Sequence, residues 1–232
     1  MQYPWFPDLR GDDESPDAYG GGRLEVDWVL AAYLRGFFPW PAEGEPLAWW
    51  CPRIRMVFEF DSLHLSRRLA RTLRQGRFSF SLDRDFDAVL GRCRDQRGEG
   101  RWGTWITSEV TDVYRELHQR GVAHSIEVWE AGELAGGVYG LALGGVFFGE
   151  SMFSDRRDAS KAGLIVLGAQ LKRWGFSLFD CQVPNPHLVR MGGCSMHRSV
   201  FLQRLAEGLL IDTRVGPWQL ESAALPPGAK LR

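Results

Sequence analysis

The sequence has no apolar run long enough to cross a membrane, since no stretch approaches the roughly 18 residues that a span requires. Its first residues also lack the order of a signal peptide, in which basic residues precede apolar ones. The four cysteines include no Cys-x-x-Cys pair, so neither a zinc site nor a disulfide framework is predicted. We therefore expect a cytoplasmic protein with reduced thiols and no membrane partner.

Sequence motifs for common cofactors and nucleophiles are also missing. No Gly-x-Gly-x-x-Gly or Walker pattern occurs, and the pairs Gly136-Gly137 and Gly144-Gly145 lie within a predicted hairpin. The five histidines show no metal-ligand spacing. Residues 149–153 (Gly-Glu-Ser-Met-Phe) are not the Gly-x-Ser-x-Gly elbow of a hydrolase. We expect no metal and no organic cofactor.

A net charge of −1 excludes a chain that binds nucleic acid through its overall charge, but the charge is unevenly distributed. Residues 64–77 contain arginine and no acid, while several acids are concentrated early in the chain: Asp8, Asp12, Asp13, Glu14 and Asp17. Within a predicted helix over 62–76, Arg67, Arg71 and Arg74 follow i, i+4, i+7 spacing and form one stripe. This stripe is either a solvated helix face or a surface for the phosphates of a polyanion.

The composition is that of an ordinary globular protein, with 44% hydrophobic and 25% charged residues among 232. This length allows one large domain, or a small domain and a medium one. We expect a small N-terminal α/β domain over 1–60, which begins with an irregular arm over 1–22, and a catalytic domain over 61–232. We also expect a monomer.

Hydrophobic periodicity and turn residues predict an α+β fold, a mixed sheet with flanking helices. Helices are predicted over 24–36, 62–76, 86–94, 107–121 and 158–175, the last being the final long helix, and a flexible loop over 95–103. Strands are predicted over 55–60, 78–82, 125–129, 133–143, 146–153 and 176–183. Three consecutive strands, a helix and a further strand form the core order of the acetyltransferase-like (GNAT) fold.

Three polar residues occur in stretches that otherwise have the composition of buried strands. Alternation along 176–183 would place Asp180 and Gln182 on one face, and Glu150 lies in the neighbouring strand. A buried carboxylate is costly unless it is paired or hydrogen-bonded. These residues are either strand ends that meet solvent or members of a site.

Eight segments of the chain resemble, in order and spacing, those of leucyl/phenylalanyl-tRNA–protein transferases. They are Ala32–Trp40, Trp49–Arg53, Thr104–Thr107, Ala123–Trp129, Gly136–Gly140, Phe147–Ser154, Ala159–Lys161 and Asp180–Gln182. The resemblance implies an acetyltransferase-like fold and transfer of Leu, Phe or, less well, Met from aminoacyl-tRNA. The acceptor would be the N-terminal α-amine of a protein that begins with Arg or Lys, which marks it for degradation by the N-degron pathway.

The resemblance also implies catalytic roles for three residues. Asp180 would orient the amine and help to deprotonate it, while Gln182 holds the ester or relays charge. Alternatively, the terminal hydroxyl of the tRNA carries the proton and Asp180 only positions. Glu150 would face the cationic N-terminal residue of the acceptor or hold Gln182.

The resemblance places aromatic residues around the aminoacyl-adenosine end of the donor, where adenine stacks on ring faces. These are Tyr33, Trp40, Trp105 and Tyr114, with Trp49 and Trp50 nearby; each alone is also an ordinary core aromatic. An apolar pocket for the Leu or Phe side chain would comprise Val138, Phe147, Met152, Leu167 and Phe179.

Some segments depart from the pattern of coenzyme A-dependent acetyltransferases or from that of the leucyl/phenylalanyl-tRNA–protein transferases. Residues 153–161 contain no glycine and two acids, whereas coenzyme A enzymes bind pyrophosphate there with a glycine-rich turn, so coenzyme A is not expected. Arg190-Met191-Gly192-Gly193 stands where the transferases favour Ser-Leu-Gly-Ala, Arg198-Ser199 replaces a basic pair, and Cys51 replaces a serine. A catalytically silent binder of charged tRNA or of basic N-termini is the alternative.

Overall fold

The structure, a computed structural model, describes residues 4–12, 14–41, 44–98 and 105–232. The strands in these residues are β1 (Ala18–Gly20), β2 (Phe38–Pro39), β3 (Ala48–Trp50), β4 (Ile54–Phe58), β5 (Ser79–Leu82), β6 (Ala123–Glu130), β7 (Glu133–Leu143), β8 (Val146–Ser154), β9 (Leu178–Asp180), β10 (Cys194–His197) and β11 (Lys230–Leu231). The helices are α1 (Val26–Tyr33), α2 (Arg67–Arg74), α3 (Phe86–Gly98), α4 (Ser108–Gln119), α5 (Ala159–Arg173), α6 (Pro186–Arg190) and α7 (Arg198–Gly208).

The main feature is an eight-stranded mixed sheet in the order β10-β4-β9-β8-β7-β6-β5-β11. Strands β6, β7 and β8 form an antiparallel meander, whereas β9 is parallel to β8 and antiparallel to β4. The turn between β6 and β7 contains Ala131 and Gly132, both with positive φ, which a tight hairpin turn requires. Strand β4 thus comes from early in the chain and lies between two late strands.

Helices cover both faces of this sheet, and each face has its own apolar core. One core contains residues of α1, α3, α4 and α7. The other contains residues of α2 and α5, together with Trp218 from the C-terminal segment. Alternation along β6 and β7 divides the strand residues between these cores, as with Tyr139 and Val138.

A second, three-stranded sheet has the order β1-β3-β2. Its Trp49 is buried and packs against Trp28 and Phe6. The division of the chain at residue 60 stays a prediction, and β4, which precedes that residue, belongs to the larger sheet. No helix in the described part of the chain is long and apolar enough to cross a membrane.

The elements with the clearest local pattern are confirmed: the meander β6–β8, helix α5, and helix α4, whose Thr107 side chain accepts a hydrogen bond from Val110 N. The predicted loop over 95–103 is wrong at its start, because α3 continues to Gly98; residues 99–103 lie outside the described residues. Helix α5 is not the final long helix, since α7 follows it. The predicted strand over 176–183 is shorter, and β9 ends at Asp180.

Candidate active site

A cavity opens where the parallel strands β8 and β9 separate. The two strands pair from Val146 and Leu178 as far as Phe148 and Asp180. Beyond that pair β8 continues to Ser154, whereas the chain after Asp180 leaves the sheet. The gap forms part of a cavity of about 330 Å³, with residues 149–152 on one side and 181–185 on the other.

A β-bulge places Glu150 at this cavity. Tyr139 of β7 pairs with Ser151 and Gly140 pairs with Gly149, so Glu150 is the extra residue of β8. Gly140 is required beside the bulge because a Cβ at this position would overlap the carbonyl oxygen of Phe148. The bulge directs the carboxyl group of Glu150 into the gap between the strands, where it is nine-tenths buried.

Glu150 is held by a short chain of hydrogen bonds. The Tyr33 hydroxyl donates to Glu150 Oε1 over 2.6 Å, and its oxygen lies 3.0 Å from the Tyr114 hydroxyl, which therefore donates to it. Gln182 Nε2 donates to the same Glu150 oxygen over 3.2 Å. Burial raises the pKa of Glu150 to about 8, although the tyrosine hydrogen bonds oppose this shift. A carboxyl group with this pKa is mainly in its protonated form at pH 7.

Asp180 lies behind the cavity wall, in a buried ion pair with Arg55. Arg55 Nε donates to Oδ1 over 2.8 Å and Nη2 donates to Oδ2 over 2.6 Å. The guanidinium lies between the rings of Phe38 and Phe201, at 4.8 and 4.3 Å. Neither member of the ion pair is exposed, and neither lines the cavity. A substrate in the cavity cannot reach the Asp180 carboxylate without rearrangement of this pair.

Gln182 has a left-handed backbone conformation, with φ of 58°. Its N–H donates to Asp180 Oδ1 over 2.9 Å, and its carbonyl accepts a hydrogen bond from Met56 N over 3.0 Å. Such a conformation costs a residue other than glycine about 1–3 kcal/mol, and these two bonds stabilise it. The expectation that Asp180 and Gln182 share one face of a strand is wrong, since the chain leaves the extended conformation between them.

These contacts give Gln182 and Asp180 different positions. The Gln182 side chain lines the cavity, and no described residue donates a hydrogen bond to its Oε1. This oxygen is available to accept a hydrogen bond from a ligand. Asp180, by contrast, holds the backbone of Gln182 from behind.

The rest of the cavity wall is mainly apolar and includes five residues that the resemblance implied: Trp40, Trp105, Val138, Met152 and Phe179. Sequence reasoning missed Phe38, Phe58, Leu164 and Leu188, which also line it. Leu167 is buried away from the cavity, and Leu164, one helical turn earlier, takes its place.

Phe147, Tyr33 and Tyr114 do not line the cavity either, but they support it. Phe147 lies in the core that contains residues of α2 and α5, where it packs against Phe179 with ring centroids 5.0 Å apart. Tyr33 and Tyr114 lie beneath Glu150, and burial, followed by the charge of Glu150, raises the pKa of both well above the usual value for tyrosine.

The arginine stripe lies on α2, away from the cavity lining. Arg67, Arg71 and Arg74 are exposed and form no ion pair with the described residues. Their neighbours differ, since Arg68 pairs with Asp158 and Arg77 pairs with Glu130. In the described ranges, no group of three His, Cys, Asp or Glu residues could hold a metal ion. A role of the stripe in binding tRNA stays a prediction.

Comparison with known proteins decides the family. A family model described as leucyl/phenylalanyl-tRNA protein transferase matches residues 57–206, and a second, for the N-terminal domain of that protein, matches residues 22–53. This chain belongs to the leucyl/phenylalanyl-tRNA–protein transferase family. The resemblance stated from the eight sequence segments is confirmed, and the chain is grouped with aminoacyltransferases.

Curated members of the leucyl/phenylalanyl-tRNA–protein transferase family are similar over most of the chain. One from Alkalilimnicola ehrlichii is 52% identical over 87% of this chain and 78% of its own length. One from Anaeromyxobacter sp. (strain Fw109-5) is 46% identical over 97% of this chain and 95% of its own length.

Among solved structures, L-PGS from Bacillus licheniformis has a TM-score of 0.38 and 16% identity over 58% of this chain and 49% of its own. An aminoglycoside N-acetyltransferase in complex with CoA has a TM-score of 0.32 and 15% identity over 62% of this chain and 95% of its own. Likenesses as slight as these carry no argument.

Proposed function

We propose that this chain transfers Leu or Phe, and less well Met, from aminoacyl-tRNA to the α-amine of proteins that begin with Arg or Lys. The modified proteins would enter the N-degron pathway in the cytoplasm. Family membership supports a tRNA donor and a protein acceptor. The observation that carries the finer proposal is the cavity wall, which is mainly apolar and in which Glu150 is the one acidic side chain among the described residues.

We also propose that the fold is acetyltransferase-like. The supporting feature is the order of the elements: the meander β6–β8, then α5, then β9 parallel to β8. The strands separate at the site, so that a ligand enters between them. The N-terminal 60 residues would form a separate small domain that contributes Phe38 and Trp40 to the cavity.

The proposed reaction is the aminolysis of an ester. The nitrogen of the acceptor amine attacks the ester carbonyl carbon, an amide bond forms, and the bond to the ribose oxygen of the tRNA breaks. The proton lost by the amine ends on that ribose oxygen. Gln182 Oε1 would accept a hydrogen bond from the amine and orient its lone pair. The burial of the Arg55–Asp180 pair supports a positioning role for Asp180 and transfer of the proton by the tRNA hydroxyl.

Glu150 would face the cationic side chain of the acceptor. Its raised pKa favours the protonated form at neutral pH, but an arginine or lysine side chain nearby favours the carboxylate. Binding of a basic N-terminal residue would therefore ionise Glu150 and form a charge-assisted hydrogen bond. A neutral first residue would leave the carboxyl group protonated and would gain no such bond.

The direct test is incubation of the pure protein with radiolabelled Leu-tRNA and peptides that begin with Arg, Lys, Glu or Ala. Label should enter the Arg and Lys peptides, and acetylation of the Arg peptide at its α-amine should abolish incorporation. A silent binder would retain charged tRNA on a filter without forming labelled peptide. Equal labelling of all four peptides would contradict the role of Glu150.

Donor choice should follow the shape of the apolar wall. Leu-tRNA should outcompete Val-tRNA by about 1–3 kcal/mol, the worth of a methylene or a branch misfit. Leu164→Ala should reduce this preference, measured as a ratio of kcat/KM values, because Leu164 lines the cavity. Leu167→Ala is the matched control: it removes the same atoms one turn away and should lower the melting temperature without changing the ratio. The reverse result would favour the pocket that the sequence predicted.

The pH dependence should respond to Tyr33→Phe. The Tyr33 hydroxyl donates to Glu150 and lowers its pKa, so its loss should raise that pKa above about 8. If the ionised form of Glu150 binds the acceptor, kcat/KM for an Arg peptide rises with pH through the pKa of Glu150. In Tyr33→Phe this rise should move to higher pH. The α-amine of the peptide also titrates near pH 8, but it is the same for both proteins. A peptide with a neutral first residue should show no shift between the two.

A further inference from the structure

Three basic side chains lie near the cavity and belong neither to its wall nor to the arginine stripe. Lys161 is in the first turn of α5, three residues before Leu164, which lines the cavity. His187 of α6 lies between Asn185 and Leu188, which both line the cavity, and Arg190 is three residues after His187. Residues three apart in a helix are neighbours on one face. Lys161 is therefore beside Leu164, and Arg190 is beside His187, at the edge of the cavity.

The charge of this group is not neutralised. Lys161 lies 4.0 Å from Asp158, but the same carboxylate is hydrogen-bonded to Arg68. Arg190 is exposed and forms no ion pair with the described residues. Burial lowers the pKa of His187, and the charges of Lys161 and Arg190 lower it further. This edge of the cavity therefore carries basic side chains whose charge is at most partly neutralised.

The group also continues the basic surface of α2. Arg68 of α2 is joined by its ion pair to Asp158, the residue that precedes α5. Arg68 on α2 and Lys161 in the first turn of α5 therefore share the carboxylate of Asp158, and α6 carries His187 and Arg190. A chain of phosphates that approached along α2 would reach the cavity at Lys161 and Arg190.

We propose that Lys161, His187 and Arg190 form a subsite for the phosphodiester groups of the single-stranded 3′ end of the donor, next to its aminoacylated nucleoside. The proposal rests on the proposed function, since that function supplies the nucleic acid. Arginine bonds phosphate through two parallel N–H groups, lysine acts as a point charge, and a neutral imidazole donates one N–H.

The test uses three donors that differ only in their phosphates: an aminoacyl-adenosine, an aminoacylated CCA trinucleotide and full aminoacyl-tRNA. Arg190→Ser should raise KM roughly 5- to 20-fold for the trinucleotide and the tRNA, and leave it within about twofold for the aminoacyl-adenosine. The slope of log KM against log salt should fall by about 0.7 for the trinucleotide. Arg190→Lys should retain most of the wild-type affinity.

A matched control removes an equal charge elsewhere. Arg214 lies over the ring of Trp174, 4.3 Å from its centroid, beyond the far end of α5, about 20 Å from its first turn. Arg214→Ser should change none of the three KM values. The triple change of Arg67, Arg71 and Arg74 to Gln should affect full tRNA most, because these three residues lie away from the cavity lining.

The proposal is overturned if Arg190→Ser weakens all three donors alike or none of them. Absence of transfer from any donor by the wild-type protein would contradict the proposed function instead. In that case a CCA trinucleotide without an amino acid, labelled with a fluorophore, tests the subsite directly by fluorescence anisotropy. Weaker binding by Arg190→Ser than by Arg214→Ser supports the subsite, and equal binding overturns it.

Discussion

Asp180→Asn should lower the free energy of unfolding by about 3–5 kcal/mol, because it leaves the buried guanidinium of Arg55 without its counter-charge. The same change should reduce kcat by about 10²–10⁴-fold, the loss commonly seen when a group required for proton transfer is displaced. The two effects share one origin, the loss of the carboxylate that bonds both the Arg55 guanidinium and the N–H of Gln182. Urea denaturation and steady-state transfer from Leu-tRNA measure them separately.

A double variant distinguishes the two effects. Arg55→Met combined with Asp180→Leu removes both buried charges, and such replacements are often neutral or stabilising. The double variant should regain most of the stability lost in Asp180→Asn, yet remain inactive, because nothing then accepts the hydrogen bond of Gln182 N. An Asp180→Asn protein as stable as the wild type, but inactive, would instead indicate that the carboxylate acts on the substrate itself.

Gln182→Asn should lower kcat by about 10²–10³-fold while changing the free energy of unfolding by less than about 1 kcal/mol. Asparagine tolerates the left-handed conformation of this position, so the backbone and its bond to Asp180 persist. Its amide is one methylene shorter and withdraws the oxygen that would accept from the amine. The comparison requires kcat at saturating donor and acceptor, with the melting temperature measured in the same buffer.

Gln182→Met is the companion variant, because it keeps the length of the side chain and removes the amide. It should lose kcat to the same extent as Gln182→Asn. Retention of wild-type kcat by either variant would contradict a direct role for Gln182 Oε1. Glu150, which is hydrogen-bonded to the same amide, would then be the residue that orients the amine.

The parts of the fold that the sequence predicts correctly are those with local causes. Strands β6, β7 and β8 alternate in hydrophobicity and are joined by two-residue turns, and α4 begins at a threonine that caps it. Glu150 was identified because a carboxylate in an apolar stretch is unusual. The bulge that directs it into the cavity depends on the register of two strands, which local periodicity does not specify.

The contacts that organise the site are not local. Arg55 was a signal that could have been used, because an arginine in an apolar strand requires a buried acid, and Asp180 was available. Recognition of that pair requires the knowledge that β4 lies beside β9. The same limit explains why Leu167 was expected to line the cavity and Leu164 does. Helical spacing places both on the inward side of α5, and only the position of the gap between β8 and β9 determines which of them lines the cavity.

The ion pair that supports Gln182 joins residues 125 positions apart, and β4 is enclosed by β9 and β10, which are made late in synthesis. During synthesis from the N-terminus, the meander can form while β4 still has no neighbour on either side. The ester-transfer site would thus be assembled only when nearly the whole chain has left the ribosome. A nascent or truncated chain that ends before residue 178 would contain the tyrosines, Glu150 and the arginine stripe, yet it would lack the means to catalyse transfer.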